Sequence, residues 1–281
     1  MYYYILDPRN IPQKDFERNL TELQTLLTEF KINGELARIT PLRMIPEMVD
    51  NAASRGARTL VVCGSDETFH QALAAVRDLD FTLAFVPFTA DSQLGKILGT
   101  ETVASAVKTL ASRRTERMDV AKIGQLLFLS YLEIGLGAQT NQQTGMLALM
   151  KLFNSSPVNL KLRIDDSYNV SSKVMGALLV NTRIGDHDSH SKIGDPQDSF
   201  LDLLLLEKLN KFSILRYKKE ILAGCYEKIS GSTAIRCKKV ELLEPLNMRI
   251  SMNGREVARM PSVVEILPGK LKMIVGKSRT F

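Results

Sequence analysis

The chain has 281 residues, enough for two ordinary domains, with 44% hydrophobic and 24% charged residues, the balance of a globular protein and not of a disordered one. Thirty-seven Lys and Arg against 31 Asp and Glu leave a formal charge of +6, which suits an anionic ligand, an anionic membrane surface or a nucleic acid. Nucleic acid is disfavoured, because aromatic residues make up only 6%, Trp is absent, and no helix-turn-helix, zinc-finger or RNP pattern occurs. Three widely spaced cysteines, Cys63, Cys225 and Cys237, argue against a disulfide framework or a structural zinc site. No apolar run approaches the length of a membrane span, and the start lacks the pattern of a signal peptide. The expectation is a reduced, cytoplasmic protein, with a peripheral position at a membrane left open.

The first 120 or so residues alternate apolar strands with helical patterns. Tyr2 to Leu6 reads as a strand ending in the turn-forming Asp7-Pro8-Arg9-Asn10. Phe16, Leu20, Leu23, Leu27 and Phe30 recur at three- and four-residue spacing, an amphipathic helix that Asn33-Gly34 should stop. Leu36 to Ile39 is a second strand, and Pro46 suits the first turn of a second helix. Thr59 to Cys63 is nearly continuously apolar, as a strand covered on both faces should be. A helix from about Phe69, a strand from Leu83 to Val86, and helices after Ser92 and Thr102 complete a parallel sheet with helices on both sides.

After Arg117-Met118-Asp119 the pattern changes. Leu160 to Ile164 and Met248 to Met252 alternate with period two, as half-buried antiparallel strands do. Asn253-Gly254 signals a tight hairpin, and Gly231-Ser232 and Pro268-Gly269 signal further turns. Gln142 to Phe153 is the exception, with a helical spacing of Met146, Leu149, Met150 and Phe153. The division expected is residues 1–119 for the α/β domain and 120–281 for a mainly β domain, with the extreme C-terminus free to return to the first.

Chemistry should gather where parallel strands end. Gly64-Ser65-Asp66-Glu67-Thr68 and Pro87-Phe88-Thr89-Ala90-Asp91-Ser92-Gln93 are polar loops between a strand and a helix, the place where doubly wound sheets bind ligands. On spacing alone they read first as ordinary turns, with Asp66 and Ser92 capping their helices. His187-Asp188-Ser189-His190, with Asp186 and Asp195 nearby, lies in a polar loop and reads as a solvated segment and not a metal site. Lys208, Lys211, Arg216, Lys218 and Lys219, interleaved with Leu209, Phe212, Ile214 and Leu215, suit either an anionic lipid surface or a plain solvated face.

These segments resemble the diacylglycerol kinase catalytic-domain family, which includes bacterial lipid kinases and sphingosine and ceramide kinases. The family's phosphate loop G-G-D-G-T-x-N-E aligns with Gly64-Ser65-Asp66-Glu67-Thr68-Phe69-His70-Gln71. Its second loop P-L-G-T-G-N-D-F-A-R-x-L-G aligns without a gap with Pro87 to Gly99. Asp7-Pro8 resembles its opening N-P, Arg117-Met118-Asp119 its R-x-D junction, and Asp198-Ser199-Phe200-Leu201-Asp202 its D-G-x-L-D. Asn253-Gly254-Arg255, Pro261 and Leu267-Pro268-Gly269-Lys270-Leu271 resemble its D-G-E…P…L-P-G-x-L pattern. The resemblance implies an α/β domain of NAD-kinase type followed by a β-sandwich, with an active site between them. It further implies ATP and Mg as cofactors, nucleotide contacts from Pro8, Thr40, Gly64, Asp66, Thr68 and Ser92, a magnesium ion at Asp66, and Asp198 as general base.

The departures fall in the loops. Ser65, Glu67, Thr89 and Asp91 stand where the family has glycine, Gln93 replaces an acid, and Ser199 replaces the glycine after Asp198. Glycines there let backbone N–H groups approach phosphate and permit positive φ. Glu67 and Asp91 also carry charge towards a polyphosphate, and a like-charge pair about 4 Å apart costs roughly 1 kcal/mol in water and about 4 at intermediate screening. Three functions follow as expectations. The first is a lipid-kinase-like protein that binds a lipid or other small molecule with little or no kinase activity. The second is an active ATP- and Mg-dependent kinase acting on a lipid hydroxyl of diacylglycerol or sphingoid type. The third is a metal-dependent enzyme built on Asp66, Glu67 and Asp91.

Overall fold

A computed structural model of the protein describes residues 1–76, 79–135, 153, 156–182, 193–222, 224–252 and 254–281. The chain divides into two units, Met1–Met118 with Gly269–Phe281, and Asp119–Pro268. The expected helix over Gln142 to Phe153, apart from Phe153 itself, and the His187 to His190 segment lie outside the described residues.

In the first unit β1 (Tyr2–Leu6), β2 (Gly34–Arg38), β3 (Thr59–Gly64) and β4 (Thr82–Pro87) are mutually parallel in the order β2-β1-β3-β4. The end of the last strand, β15 (Ser262–Ile274), adds to β4 in parallel through Lys272 and Met273. In β1, β3 and β4 the side chains alternate between two buried faces, whereas the edge strand β2 is largely exposed. Tyr4, Leu6, Val61, Cys63, Ala84 and Val86 face α1 (Gln13–Glu29) and α5 (Val103–Ser112), which contribute Phe16, Leu23, Leu27, Val107 and Leu110. Between them, Ile5, Leu60, Val62, Leu83 and Phe85 are as deeply buried, and Phe85 meets Phe69 of α3 (Asp66–Ala75) edge-on. Two covered faces explain why these strands read as apolar runs.

Several boundaries differ from the sequence reading. Helix α1 ends at Glu29, before Asn33-Gly34, because Lys31 takes a left-handed φ of 52° and breaks the run first. Helix α3 starts at Asp66, three residues ahead of Phe69, because Ser65 caps it: its hydroxyl accepts the Thr68 N–H. The second helix, α2 (Ile45–Ser54), has Pro46 in its first turn as expected. A short helix α4 (Gln93–Leu98) follows β4.

The second unit is antiparallel. Strand β9 (Tyr168–Val180) pairs along its first half with β8 (Val158–Ile164) and along its second half with β7 (Tyr131–Gly135) and β10 (Leu201–Glu207). Beyond β7 lie β13 (Arg249–Met252) and β14 (Arg255–Arg259), joined as the expected hairpin. Beyond β8 lie β12 (Lys239–Glu244) and β15. Strand β11 (Ser232–Cys237) edges β10, and β5 (Thr115–Ile123) pairs with β6 (Leu126–Phe128). Leu201, Leu203 and Leu205 enter a core shared with Leu160, Leu179 and Val264, while Leu204 and Leu206 face a second core with Leu178, Ile214, Ile221 and Tyr226. Two short helices, α6 (Lys211–Arg216) and α7 (Lys218–Leu222), supply Ile214 and Ile221 to that second core. Pro268-Gly269 is not the turn the sequence suggests. It lies inside β15, and the φ of 56° at Gly269 bends the strand without ending it.

Candidate functional site

The four parallel strands of the first unit end on one edge, since Leu6 pairs with Arg38 and Cys63, and Gly64 with Pro87. Gly64 is the last residue of β3, and Pro8, Thr40, Asp66, Thr68 and Ser92 lie beyond the strand ends. Pro8 is half-buried after β1, and Thr40 is exposed in a two-residue bridge with Arg43 ahead of α2.

Asp66 stands on the first turn of α3, yet its carboxylate serves α4. One oxygen accepts the Ser92 hydroxyl, and the other accepts the N–H groups of Gln93 and Leu94 at 3.0 and 3.1 Å. Ser92 in turn accepts the Gly95 N–H at 2.9 Å. Three donors on one carboxylate leave about one of its four lone-pair sites open.

A second polar group joins the same loop to β1. Asp7, only 2% exposed, accepts the Thr68 hydroxyl at 2.7 Å and a two-point contact from the Arg9 guanidinium at 2.9 Å. Gly64 makes room for this: a Cβ there would sit 2.9 Å from Thr68 Oγ1 and 3.1 Å from the Asp7 Cβ. The sequence marks Asp7 as a turn residue and as the counterpart of the family's opening N-P, but its partner Thr68 lies 61 positions away.

The residues at former glycine positions behave differently from one another. Asp91 keeps the left-handed backbone that glycine would take, with φ at 56°, and its exposed carboxylate lies 3.7 Å from Lys96 Nζ. Glu67 shares the first turn of α3 with Asp66. Next along, His70 is buried, and burial lowers its pKa against the pull of Asp66 and Glu67. Among the described residues no three His, Cys, Asp or Glu side chains converge as a metal site would require.

Asp198 belongs to the second unit. Its carboxylate accepts the Phe200 N–H at 2.9 Å and is ion-paired with Arg236, which also reaches Asp202 at 3.7 Å. Burial raises the Asp198 pKa, while the Phe200 N–H and Arg236 oppose the rise. Ser199 again keeps a glycine-like φ of 67°, and its N–H donates to Asp119 at 2.6 Å. Asp202 is buried and accepts the Gly194 N–H at 2.7 Å. Arg236 has no signature in the sequence, because only its register opposite Asp202 across β10 and β11 brings it to these acids.

One buried acid outside these loops is also notable. Glu133, on the apolar strand β7, is 1% exposed, and burial pushes its pKa up to about 7 against a hydrogen bond with Tyr131. A lone acid between Leu132 and Ile134 is a signal that the sequence does carry.

Residues 5–123 match the diacylglycerol kinase catalytic domain, and residues 137–275 match the YegS C-terminal NAD kinase beta sandwich-like domain. Among solved structures, a "putative diacylglycerol kinase" from Bacillus anthracis str. Sterne superposes with a TM-score of 0.81 at 18% identity, covering 99% of this chain and 96% of that one. A further structure of a diacylglycerol kinase from the same strain gives 0.77 at 18% identity, covering 99% and 97%. At that identity the likeness is one of fold. No curated protein matches the chain.

Proposed function

The chain belongs to the diacylglycerol kinase catalytic-domain family, and on that premise we propose that it is a lipid-kinase-like binding protein with little or no phosphoryl-transfer activity. Its ligand in this reading is a lipid or another small molecule. The observation that carries the reading is the state of Asp66. In the family this aspartate is expected near Mg and phosphate, whereas here its oxygens are engaged by Ser92, Gln93 and Leu94. Thr68 donates to Asp7, and the Ser65 hydroxyl pairs with Thr68. Ser65, Asp66, Thr68 and Ser92 are therefore engaged with one another, with α4 or with Asp7, and Glu67 adds a further carboxylate to the same turn. As they stand these side chains do not fit a magnesium-bound polyphosphate, and we derive no step through one.

A second reading, an active lipid kinase, is favoured by two backbone positions. Asp91 and Ser199 stand where the family has glycine and hold a left-handed φ, the conformation that glycine adopts most readily. In that reading Asp198 takes the proton of the lipid hydroxyl, and it must first be released from Arg236.

Calorimetric titration with Mg-ATP separates the two. The binding-protein reading expects no heat of binding below millimolar nucleotide. A micromolar dissociation constant would overturn it in favour of the kinase. Replacing Ser65, Glu67, Thr89 and Asp91 together with glycine should create measurable nucleotide affinity if the loops alone are the obstacle.

A further inference from the structure

Helix α6 carries two large apolar side chains on the outside of the second unit. Asn210 caps the helix by accepting the Ser213 N–H at 2.8 Å, and Ile214 turns inward with Leu209 and Ile221. That orientation leaves Phe212 and Leu215, three residues apart and so adjacent on the helix surface, 74% and 57% exposed. Scattered single apolar residues on a surface need no explanation, but two neighbours this exposed on one short helix do.

Their surroundings are cationic. Lys208, Lys211, Arg216 and Lys219 are exposed and Lys218 is half-buried, and no acidic residue occurs from 208 to 219. Among the described residues none of these five cations takes part in an ion pair. Two strands of the same unit differ in this respect. On β8 and β12, Lys161, Arg163 and Lys239 are each matched by Glu244, Glu241 and Asp166. Arg216 lies over the Tyr217 ring, 5.4 Å from its centre, so a half-buried phenol joins the same patch.

We propose that the α6–α7 surface docks on an anionic lipid bilayer, with Phe212 and Leu215 entering the interface and the five cations resting on the headgroups. Charge complementarity selects an anionic partner. The size of the apolar part selects a membrane over a protein, because two side chains on a six-residue helix are far from the roughly 800 Å² per partner that a stable protein interface buries. Two such side chains are enough as wedges at a lipid surface, where long Lys and Arg side chains keep their charges in the headgroup layer. Each cation near an anionic surface contributes about fivefold in affinity, and this share falls with salt.

The test is flotation of the purified full chain with phosphatidylcholine vesicles, with and without phosphatidylserine. The protein should float only with the anionic vesicles and detach as salt rises. Phe212→Ser with Leu215→Ser, and separately Lys208→Gln, Lys211→Gln, Arg216→Gln and Lys219→Gln together, should each reduce binding at least about tenfold. These side chains are exposed, so far-UV circular dichroism should be unchanged. Absence of flotation, equal binding to neutral vesicles, or binding insensitive to both sets of variants would overturn the proposal. So would self-association in sedimentation that Phe212→Ser and Leu215→Ser abolish, since the patch would then face a second copy of the chain.

Discussion

Ser92 donates its hydroxyl hydrogen bond to Asp66 across 26 positions of sequence, so the loop after β4 is fastened to the helix that follows β3. The same carboxylate receives two N–H groups of α4, and the Ser92 hydroxyl receives a third. A carboxylate holding an N-terminal turn contributes roughly 0.5–2 kcal/mol. Asp66→Ala and Ser92→Ala should each cost about 1–2 kcal/mol in urea unfolding, and the double variant clearly less than their sum. Strict additivity would show that the two side chains act independently.

Backbone conformation gives a second prediction. Ser199 has a left-handed φ without the local tolerance of Asp or Asn, so Ser199→Gly should stabilise by about 0.5–1 kcal/mol. Asp91→Gly relieves the same strain but removes the exposed contact with Lys96, and should change stability by less than about 0.5 kcal/mol. Ser65→Ala should instead cost about 1 kcal/mol, because Ser65 caps α3. Unfolding midpoints of the three variants order these effects directly.

Burial of Glu133 makes the second unit sensitive to pH. The unfolded chain ionises this group near the ordinary glutamate value, whereas the folded chain holds its proton up to about 7. The folded state therefore binds more protons across that interval, and stability falls as pH rises through it, by about 3 kcal/mol in total. Glu133→Gln should flatten the profile between roughly pH 4.5 and 7. A variant with the wild-type slope would place the titration elsewhere.

His70 acts in the opposite sense in the first unit. Its folded pKa lies below the ordinary histidine value, so the unfolded chain binds the extra proton and stability falls as pH drops below about 6.5. His70→Leu should remove this acid sensitivity. Amide hydrogen exchange across the pH range distinguishes it from Glu133, since α3 amides should lose protection in acid while β7 amides gain it.

The parallel strands were legible because burial on both faces leaves no polar alternation, and the change to period two after Asp119 marks the antiparallel unit. Helix ends were less legible, since Lys31 and Ser65 act through φ and a hydroxyl and not through hydropathy. For the loops, the sequence showed which residue types stand at the strand ends. It did not show which way they face: Asp66 and Ser92 each read as a cap on its own helix, and the link between them is tertiary. Arg236 was invisible for the same reason, because a cation on an edge strand acquires meaning only from the acids opposite it.

The closing segment of the chain has a bearing on synthesis. Val275, Gly276 and Thr280 donate their N–H groups to Arg114, Leu98 and Ile97, Arg279 pairs with Glu116, and a Cβ at Gly276 would lie 2.2 Å from the Gly99 carbonyl oxygen. Residues 1–118 thus lack their fifth strand and the seal over α4 until residues 269–281 have been made, whereas residues 119–268 are contiguous and can condense as they emerge. Vectorial folding should run out of order, the later-made unit maturing first. A nascent chain arrested before Gly269 would expose the flank of β4 as an open edge for chaperones.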